Sequence, residues 1–224
     1  MKVLIITGGN IDDDFAFSFL EKRKYDEVIA VDGGLAFADR AKIRITHLVG
    51  DFDTIDPVIL EKYRYREDIC VHQFVPEKDY RDTDIAVKLA LKLFEQASLS
   101  KADEKTLDIL GGTGSRLDHV MANLQMLKTI LEAGVDGAII DKNNYIQMIQ
   151  GQCTLKKGEV FGHYMSLVPA TMKLGGITLE GFKYPLKDAK TSFGESLCVS
   201  NELIADEGSI EIKEGLAWMI LSRD

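Results

Sequence analysis

An α/β N-terminal domain with a mainly parallel sheet, followed by an all-β C-terminal domain of sandwich or barrel type, is the fold class that the sequence predicts. Up to about Asp141, short β-branched runs alternate with amphipathic stretches of helical period. Beyond it, glycine-rich turns at Gly151, Gly158, Gly175-Gly176, Gly181, Gly194, Gly208 and Gly215 separate short strand-like runs, and no helical period survives. Alternating strand and helix implies a sheet of parallel strands with helices packed on its faces.

The first strand is read over residues 2–7, and further strands over 27–31, 46–49, 69–75, 106–110 and 137–140. The clearest helix carries Leu117, Val120, Met121, Leu124, Leu127, Ile130 and Leu131 on one face, and Gly134 stands where a left-handed cap would close it. The change of character falls within residues 134–144, which divides the chain into domains 1–138 and 139–224.

Hydrophobic residues make up 46% of the 224 and charged residues 28%, a soluble globular composition and not a disordered or fibrous one. The run Val3 to Ile6 leads directly into Gly8-Gly9, so it reads as a strand and not a signal peptide, and nowhere do 18 apolar residues run together. No membrane association is expected, and the cytoplasm is the expected address. Cys70, Cys153 and Cys198 form no C-x-x-C pair and read as buried free thiols. A formal net charge of -9 with no basic block argues against a nucleic-acid partner. A polyanionic ligand would need local features, or bridging cations, to approach such a chain.

In open α/β sheets ligands bind beyond the carboxyl ends of the strands. Here those ends carry Asp32-Gly33-Gly34 after the second strand and Gly50-Asp51-Phe52-Asp53 after the third. The segment 76–84, with Lys78, Asp79, Arg81, Asp82 and Asp84, follows the fourth, and Gly111-Gly112-Thr113-Gly114-Ser115-Arg116-Leu117-Asp118-His119 follows the fifth. Carboxylates gathered on one rim repel one another and repel a triphosphate unless divalent cations sit among them. Magnesium resolves both conflicts, with Asp51 and Asp53 as oxygen ligands from one short loop. Gly111, Gly112 and Gly114 permit close backbone approach to phosphates, and Arg116 stands ready to neutralise a transferring group.

Each residue also has a plainer reading. Asp82 ahead of a helix reads as an N-cap, Asp118 as a first-turn acid favoured by the helix dipole, and His119 as a packed or hydrogen-bonded histidine. Gly50-Asp51-x-Asp53 reads as a solvated turn, and Gly-Gly-x-Gly as ordinary turn chemistry. Those readings leave unexplained why all four segments fall at one end of one sheet.

With these motifs the chain resembles the thiamine pyrophosphokinase family along nearly its whole length. The family's Asp-Gly-Gly-Ala element appears as Asp32-Gly33-Gly34-Leu35, and its Gly-Asp-Phe-Asp-Ser element as Gly50-Asp51-Phe52-Asp53-Thr54. Its Lys-Asp-x-Thr-Asp element aligns on Lys78-Asp79-Tyr80-Arg81-Asp82, and its Gly-Gly-Arg-x-Asp-His element on Gly114-Ser115-Arg116-Leu117-Asp118-His119, with Asn123 following. Ser166 to Pro169, Leu179 to Leu186 and Ser200-Asn201 resemble elements of the second domain. Arg81 stands where the family usually has Thr, and Ser115 replaces a glycine. Arg81 is expected either to add a phosphate contact or to point into solvent.

The resemblance implies an ATP-binding catalytic α/β domain and a jelly-roll-like β-sandwich that binds thiamine, joined as a homodimer with active sites between subunits. The thiamine hydroxyl would attack the β-phosphorus of ATP and expel AMP. Carried over by position, Asp51, Asp53 and Asp82 are the metal and catalytic carboxylates, with Arg116 acting on the transferring group. Asp32, Gly33, Lys78, Asp79, Gly112, Thr113, Arg116, Asp118 and His119 would serve the nucleotide, and Ser200 and Asn201 the thiamine. Phe182, Tyr184, Phe193 and Trp218 are candidates to stack on the thiamine rings, although each also reads as core. The rival readings are a pyrophosphokinase for another heterocyclic alcohol, such as a hydroxymethylpterin, and a non-catalytic nucleotide-sensing module.

Overall fold

The structure is a computed structural model describing residues 1–74, 81–97 and 103–224. The chain forms two compact units, Met1–Lys142 and Asn143–Asp224.

The first unit contains β1 (Lys2–Ile6), α1 (Asp13–Glu21), β2 (Glu27–Val31), α2 (Gly34–Arg40), β3 (His47–Gly50) and α3 (Pro57–Arg64). It continues with β4 (Cys70–Gln73), α4 (Asp82–Gln96), β5 (Thr106–Leu110), α5 (Leu117–Glu132) and β6 (Asp136–Ile140). Its six strands pair in parallel in the order β6-β5-β1-β2-β3-β4. Central strands of such a sheet are covered on both faces and so read as unbroken apolar runs. Val3 to Ile6, Val28 to Val31 and Leu107 to Leu110 are buried accordingly.

Short polar side chains set the helix starts. Asp12 caps α1 by accepting from Phe15 N–H at 2.9 Å, and Asp56 caps α3 ahead of Pro57. Gly134 ends α5 in the left-handed conformation (φ 68) expected of it. The buried face of α5 is Asn123, Met126, Leu127 and Ile130, whereas Leu117 and Met121 are exposed. At about 100° per residue those two lie at the margin of the apolar stripe, so the seven-residue face read from the sequence is too wide.

One cluster within this unit joins β2, β3 and β4 through Glu27, His47 and His72. His47 is buried on β3, its Nδ1 lies 3.2 Å from His72 Nε2, and its Nε2 lies 3.5 Å from Glu27. Burial lowers the pKa of both rings below the ordinary 6.5, against the opposing pull of Glu27 on His47. The unfolded chain therefore binds more protons than the folded one just below pH 6.5, and stability contributed by the neutral pair is lost as pH falls through that value. Raised carboxylates elsewhere titrate with the opposite sign, so the effect is read as a difference. In urea unfolding from pH 7.5 to 5, wild type is expected to lose stability relative to His47→Gln, by at most about 1.4 kcal/mol per pH unit for each ring. Parallel pH profiles for the two proteins would contradict this.

The second unit contains β7 (Asn144–Lys156), β8 (Tyr164–Pro169), β9 (Lys173–Glu180), β10 (Leu186–Ser192) and β11 (Glu207–Ser222), all pairing antiparallel. β11 pairs with β7 in both of its halves. On its other edge it meets β9 through residues 209–214 and β8 through residues 217–222. Its register shifts between Ile212 and Ala217, around Gly215 at φ 91. That irregularity switches the buried parity from Gly208, Ile210 and Ile212 to Ala217, Met219 and Leu221, so one bent strand serves both layers of a sandwich. Ile177, Leu179, Phe182, Cys198 and Met219 fill the space between the layers. Of the three thiols only Cys198 is buried; Cys70 lies exposed on β4, where the strand is covered less than its apolar neighbours. Among the described residues no helix is long and apolar enough to cross a membrane.

Candidate active site

β1 and β5 are neighbours in the sheet, yet between them in sequence the chain lays out β2, β3 and β4 on the other side of β1. The connections after β1 and β5 therefore diverge and leave a crevice at their carboxyl ends, the topological switch point at which such sheets bind ligands. A cleft of about 780 Å³ lies there. It is lined by Thr7, Gly8 and Gly9 after β1, Asp32 and Gly33 after β2, Asp51 and Thr54 after β3, and Arg81, Asp82 and Thr83 at the start of α4. Residues 111–116 after β5, with His119, Val120 and Asn123 of α5, complete it.

Two backbone segments meet at its floor with no room for a side chain. A Cβ on Gly9 would stand 2.1 Å from the Gly111 carbonyl oxygen and 2.8 Å from that of Thr113. Asn10 N–H donates to the Thr113 carbonyl at 3.0 Å, and Thr7 N–H to that of Leu110 at 2.9 Å. The Thr113 hydroxyl donates to Asp141 at 2.9 Å, and the Asn123 carboxamide donates to the Gly112 carbonyl at 2.7 Å. A glycine-walled loop held on three sides and leading into a helix N-terminus is suited to phosphate oxygens.

Opposite stand the carboxylates. Asp32 and Phe52 hold positive φ values of 43 and 69, conformations costly for residues other than glycine and concentrated at functional sites. Gly50 leaves space for Asp32, whose Oδ1 would otherwise lie 1.7 Å from a Cβ. Burial first, then the charges of Asp82 and Asp51, push the Asp32 carboxyl up to about 7 against a hydrogen bond from Phe52 N–H, and Asp32 and Asp82 share a hydrogen bond. Asp53 is raised by its side-chain hydrogen bond to Asp51, then by slight desolvation and by the charges of Asp51 and Asp82. Four carboxyl groups thus crowd one rim, and the crowding pushes Asp32 and Asp53 towards protonation. Among the described residues no three side chains already converge as a metal cage. Magnesium does not require one, since one or two carboxylates, water and phosphate oxygens complete its shell. The all-oxygen donor set and the mutual repulsion fit that ion.

Two of the plainer readings need revision. Asp82 is the first residue of α4, and the N-cap is Arg81, which makes no side-chain cap bond, so the capping explanation of Asp82 fails. His119 is exposed and lines the cleft rather than packing in the core. Asp53 is exposed and, unlike Asp51, is not among the lining residues. Arg116 is exposed and pairs with Asp118, whose carboxyl it holds below the usual range. Lys78 and Asp79 lie outside the described residues. Sequence reasoning passed over Thr7-Gly8-Gly9, although a strand followed by Gly-Gly is the signal it used after β5; it also did not foresee the anchoring by Asn123 and Asp141.

A family model described as thiamin pyrophosphokinase, catalytic domain, matches residues 20–136, and one described as thiamin pyrophosphokinase, vitamin B1 binding domain, matches residues 152–217. The chain belongs to the thiamin pyrophosphokinase family. The thiamine pyrophosphokinase of Bacillus subtilis (strain 168) is 34% identical over 200 residues, covering 88% of this chain and 87% of the relative. The crystal structure of thiamine pyrophosphokinase from Bacillus subtilis superposes with a TM-score of 0.85 at 30% identity, covering 100% of both chains. That of thiamin pyrophosphokinase from Geobacillus thermodenitrificans does so with a TM-score of 0.82 at 30% identity, covering 100% of this chain and 98% of the other.

Within the region matching the family's vitamin B1 binding domain, Ser200 is exposed at φ 60, and its N–H donates to Ser166 Oγ at 2.9 Å. Asn201 is buried. Its Oδ1 accepts from Tyr184 N–H at 3.0 Å and Glu202 N–H at 2.9 Å, and its Nδ2 donates to the Tyr184 carbonyl at 2.8 Å. Its carboxamide is thus committed to holding the segment that presents Tyr184. Tyr184 and Phe193 are exposed, against the core reading; Phe182 is buried and Trp218 is half-buried. Loops between strands carry the exposed pair, and burial there does not follow from hydrophobicity alone.

Proposed function

We propose that the chain transfers the pyrophosphoryl group of ATP to the hydroxyl of thiamine, yielding thiamine pyrophosphate and AMP, with magnesium held by Asp51, Asp53 and Asp82. The observation that carries this reading is a glycine-walled phosphate cradle facing a row of crowded carboxylates across the switch-point cleft. Nucleotide binding alone does not demand so many carboxylates, which disfavours a sensing module. The match of residues 152–217 to the family's vitamin B1 binding domain favours thiamine over a pterin.

In the reaction the thiamine oxygen bonds to the β-phosphorus, the bond from that phosphorus to the oxygen bridging to the α-phosphate breaks, and AMP leaves with that oxygen. Residues 111–115 cradle the phosphates, while Asp32, Gly33 and His119 line the nucleotide's side of the cleft. Lys78, Asp79, Arg116 and Asp118 complete the assignment to nucleotide and phosphate. Asp82 orients the hydroxyl and takes its proton, from a position at the start of α4 where it lines the cleft and hydrogen-bonds Asp32. Bound magnesium would supply charge neutralisation at the phosphate oxygens, the dominant demand of phosphoryl transfer.

Ser200 and the segment held by Asn201 serve thiamine, in a homodimer whose active sites lie between subunits. The exposed Phe193, Leu197, Val199 and Ile204 support an association surface in that region. The reading is tested by AMP release from ATP and magnesium with thiamine, with a hydroxymethylpterin and with no acceptor. Release is expected with thiamine alone. Pterin-dependent release would replace the substrate, and binding without release would replace the function.

A further inference from the structure

We propose that Arg81, the residue standing where the family usually has Thr, is a positioning residue that sets nucleotide affinity through Asn123 and does not itself contact phosphate; this rests on the functional reading above. Every nitrogen of the guanidinium already has a partner in the protein, Nη1 reaching the His119 carbonyl at 3.5 Å as well as Asn123. Nε and Nη2 fork onto Asp84 at 3.1 and 2.7 Å, and Nη1 donates to Asn123 Oδ1 at 2.9 Å. The forked pair balances the positive charge locally, so Arg81 lines the cleft without offering that charge to a ligand.

Asn123 is buried, and its carboxamide has one acceptor and one donating end. Arg81 occupies the acceptor, which obliges the amino group to face the Gly112 carbonyl, where it donates at 2.7 Å. A freed carboxamide can turn over, and its oxygen would then face the Gly112 oxygen. The peptide joining Gly112 to Thr113 is planar, so fixing its carbonyl also fixes the direction of the Thr113 N–H in the phosphate loop. A side chain as short as Thr cannot fork onto Asp84 and reach Asn123 together. The guanidinium therefore builds, from the N-terminus of α4, a brace for the loop after β5. The Asp141 anchor on the Thr113 hydroxyl remains when the brace is lost, so the loop loosens without collapsing.

The test is ATP affinity by calorimetry and ATP KM against kcat for Arg81→Met, Arg81→Lys, Asn123→Ala and the double variant Arg81→Met/Asn123→Ala. Arg81→Met is expected to weaken ATP about tenfold while kcat changes less than about threefold, the scale of one buried hydrogen bond lost. Arg81→Lys, a point charge without a fork, is expected to restore nothing. The double variant is expected to be no weaker than Asn123→Ala alone, because both act on one peptide. Rescue by Lys, or losses that multiply in the double variant, would show a direct phosphate contact and overturn the proposal. If Asn123→Ala melts too low to assay, Asn123→Asp, which keeps the acceptor and loses the donor, gives the same comparison. Wild-type protein that binds ATP yet releases no AMP with thiamine would sink the functional reading, while the affinity pattern still judges Arg81.

Discussion

Asp82→Asn is expected to lower kcat by on the order of 10³-fold while leaving the melting temperature unchanged or slightly raised. The carboxylate begins α4 and hydrogen-bonds Asp32, which burial and neighbouring charges already hold at a pKa of about 7. Asparagine keeps the shape and a hydrogen bond but can neither take the hydroxyl proton nor present a charge to a cation. Two effects on the fold oppose each other. Loss of a first-turn acid costs α4 about 0.3–1 kcal/mol, and relief of the repulsion between Asp32 and Asp82 offsets it. Rigid active sites commonly trade stability for function in this way. AMP release and a thermal melt on one preparation decide the matter. Activity within tenfold of wild type would remove Asp82 from the chemistry, and a large drop in melting temperature would make it a structural residue.

Gly9→Ala should damage fold and site together. Its Cβ would be 2.1 Å from the Gly111 carbonyl oxygen, a backbone atom that cannot swing aside, and 2.8 Å from that of Thr113. To accept a methyl group the loops after β1 and β5 must part by about 1 Å, a displacement that in a positioned site costs on the order of 10²-fold in rate. Overpacking at such a point costs about 1–3 kcal/mol. For a chain of this size that lowers the melting temperature by roughly 2–12 °C. Gly158→Ala is the control, since a Cβ there meets nothing within 4 Å. The account expects Gly158→Ala to melt and turn over like wild type, and Gly9→Ala to be crippled in both measurements. Equal behaviour of the two would mean that the floor of the cleft is softer than its backbone contacts imply.

The elements were legible where apolar runs were continuous. Glu27–Val31 and Thr106–Leu110 match residue for residue, because buried parallel strands leave no polar gap to blur their ends. Strand order was not legible: nothing local in Lys2–Ile6 says that Thr106–Leu110 pairs beside it, and that pairing creates the switch point. For the same reason Thr7-Gly8-Gly9 was read as the end of a strand and not as half of the cradle. Asp32 was recognisable as a rim carboxylate, but the room that Gly50 leaves for it and the hydrogen bond it accepts from Phe52 N–H come from some twenty residues on. Arg81 was visible as a departure, whereas its partners Asp84 and Asn123 required the packing of α4 near α5. Residue type misled about exposure: Leu117, Met121, Tyr184 and Phe193 look like core by type and lie open, since edge-of-stripe and loop positions are not covered.

The central claim is that the β-phosphorus of ATP is the point of attack, and the products of one reaction mixture test it most directly. Purified protein with ATP, magnesium and thiamine is sampled over time, and the nucleotide and thiamine species are identified by mass. The account predicts AMP and thiamine pyrophosphate accumulating in equal amounts from the first time point, with no lag and no thiamine monophosphate. ADP accompanied by thiamine monophosphate would place the attack on the γ-phosphorus and contradict it.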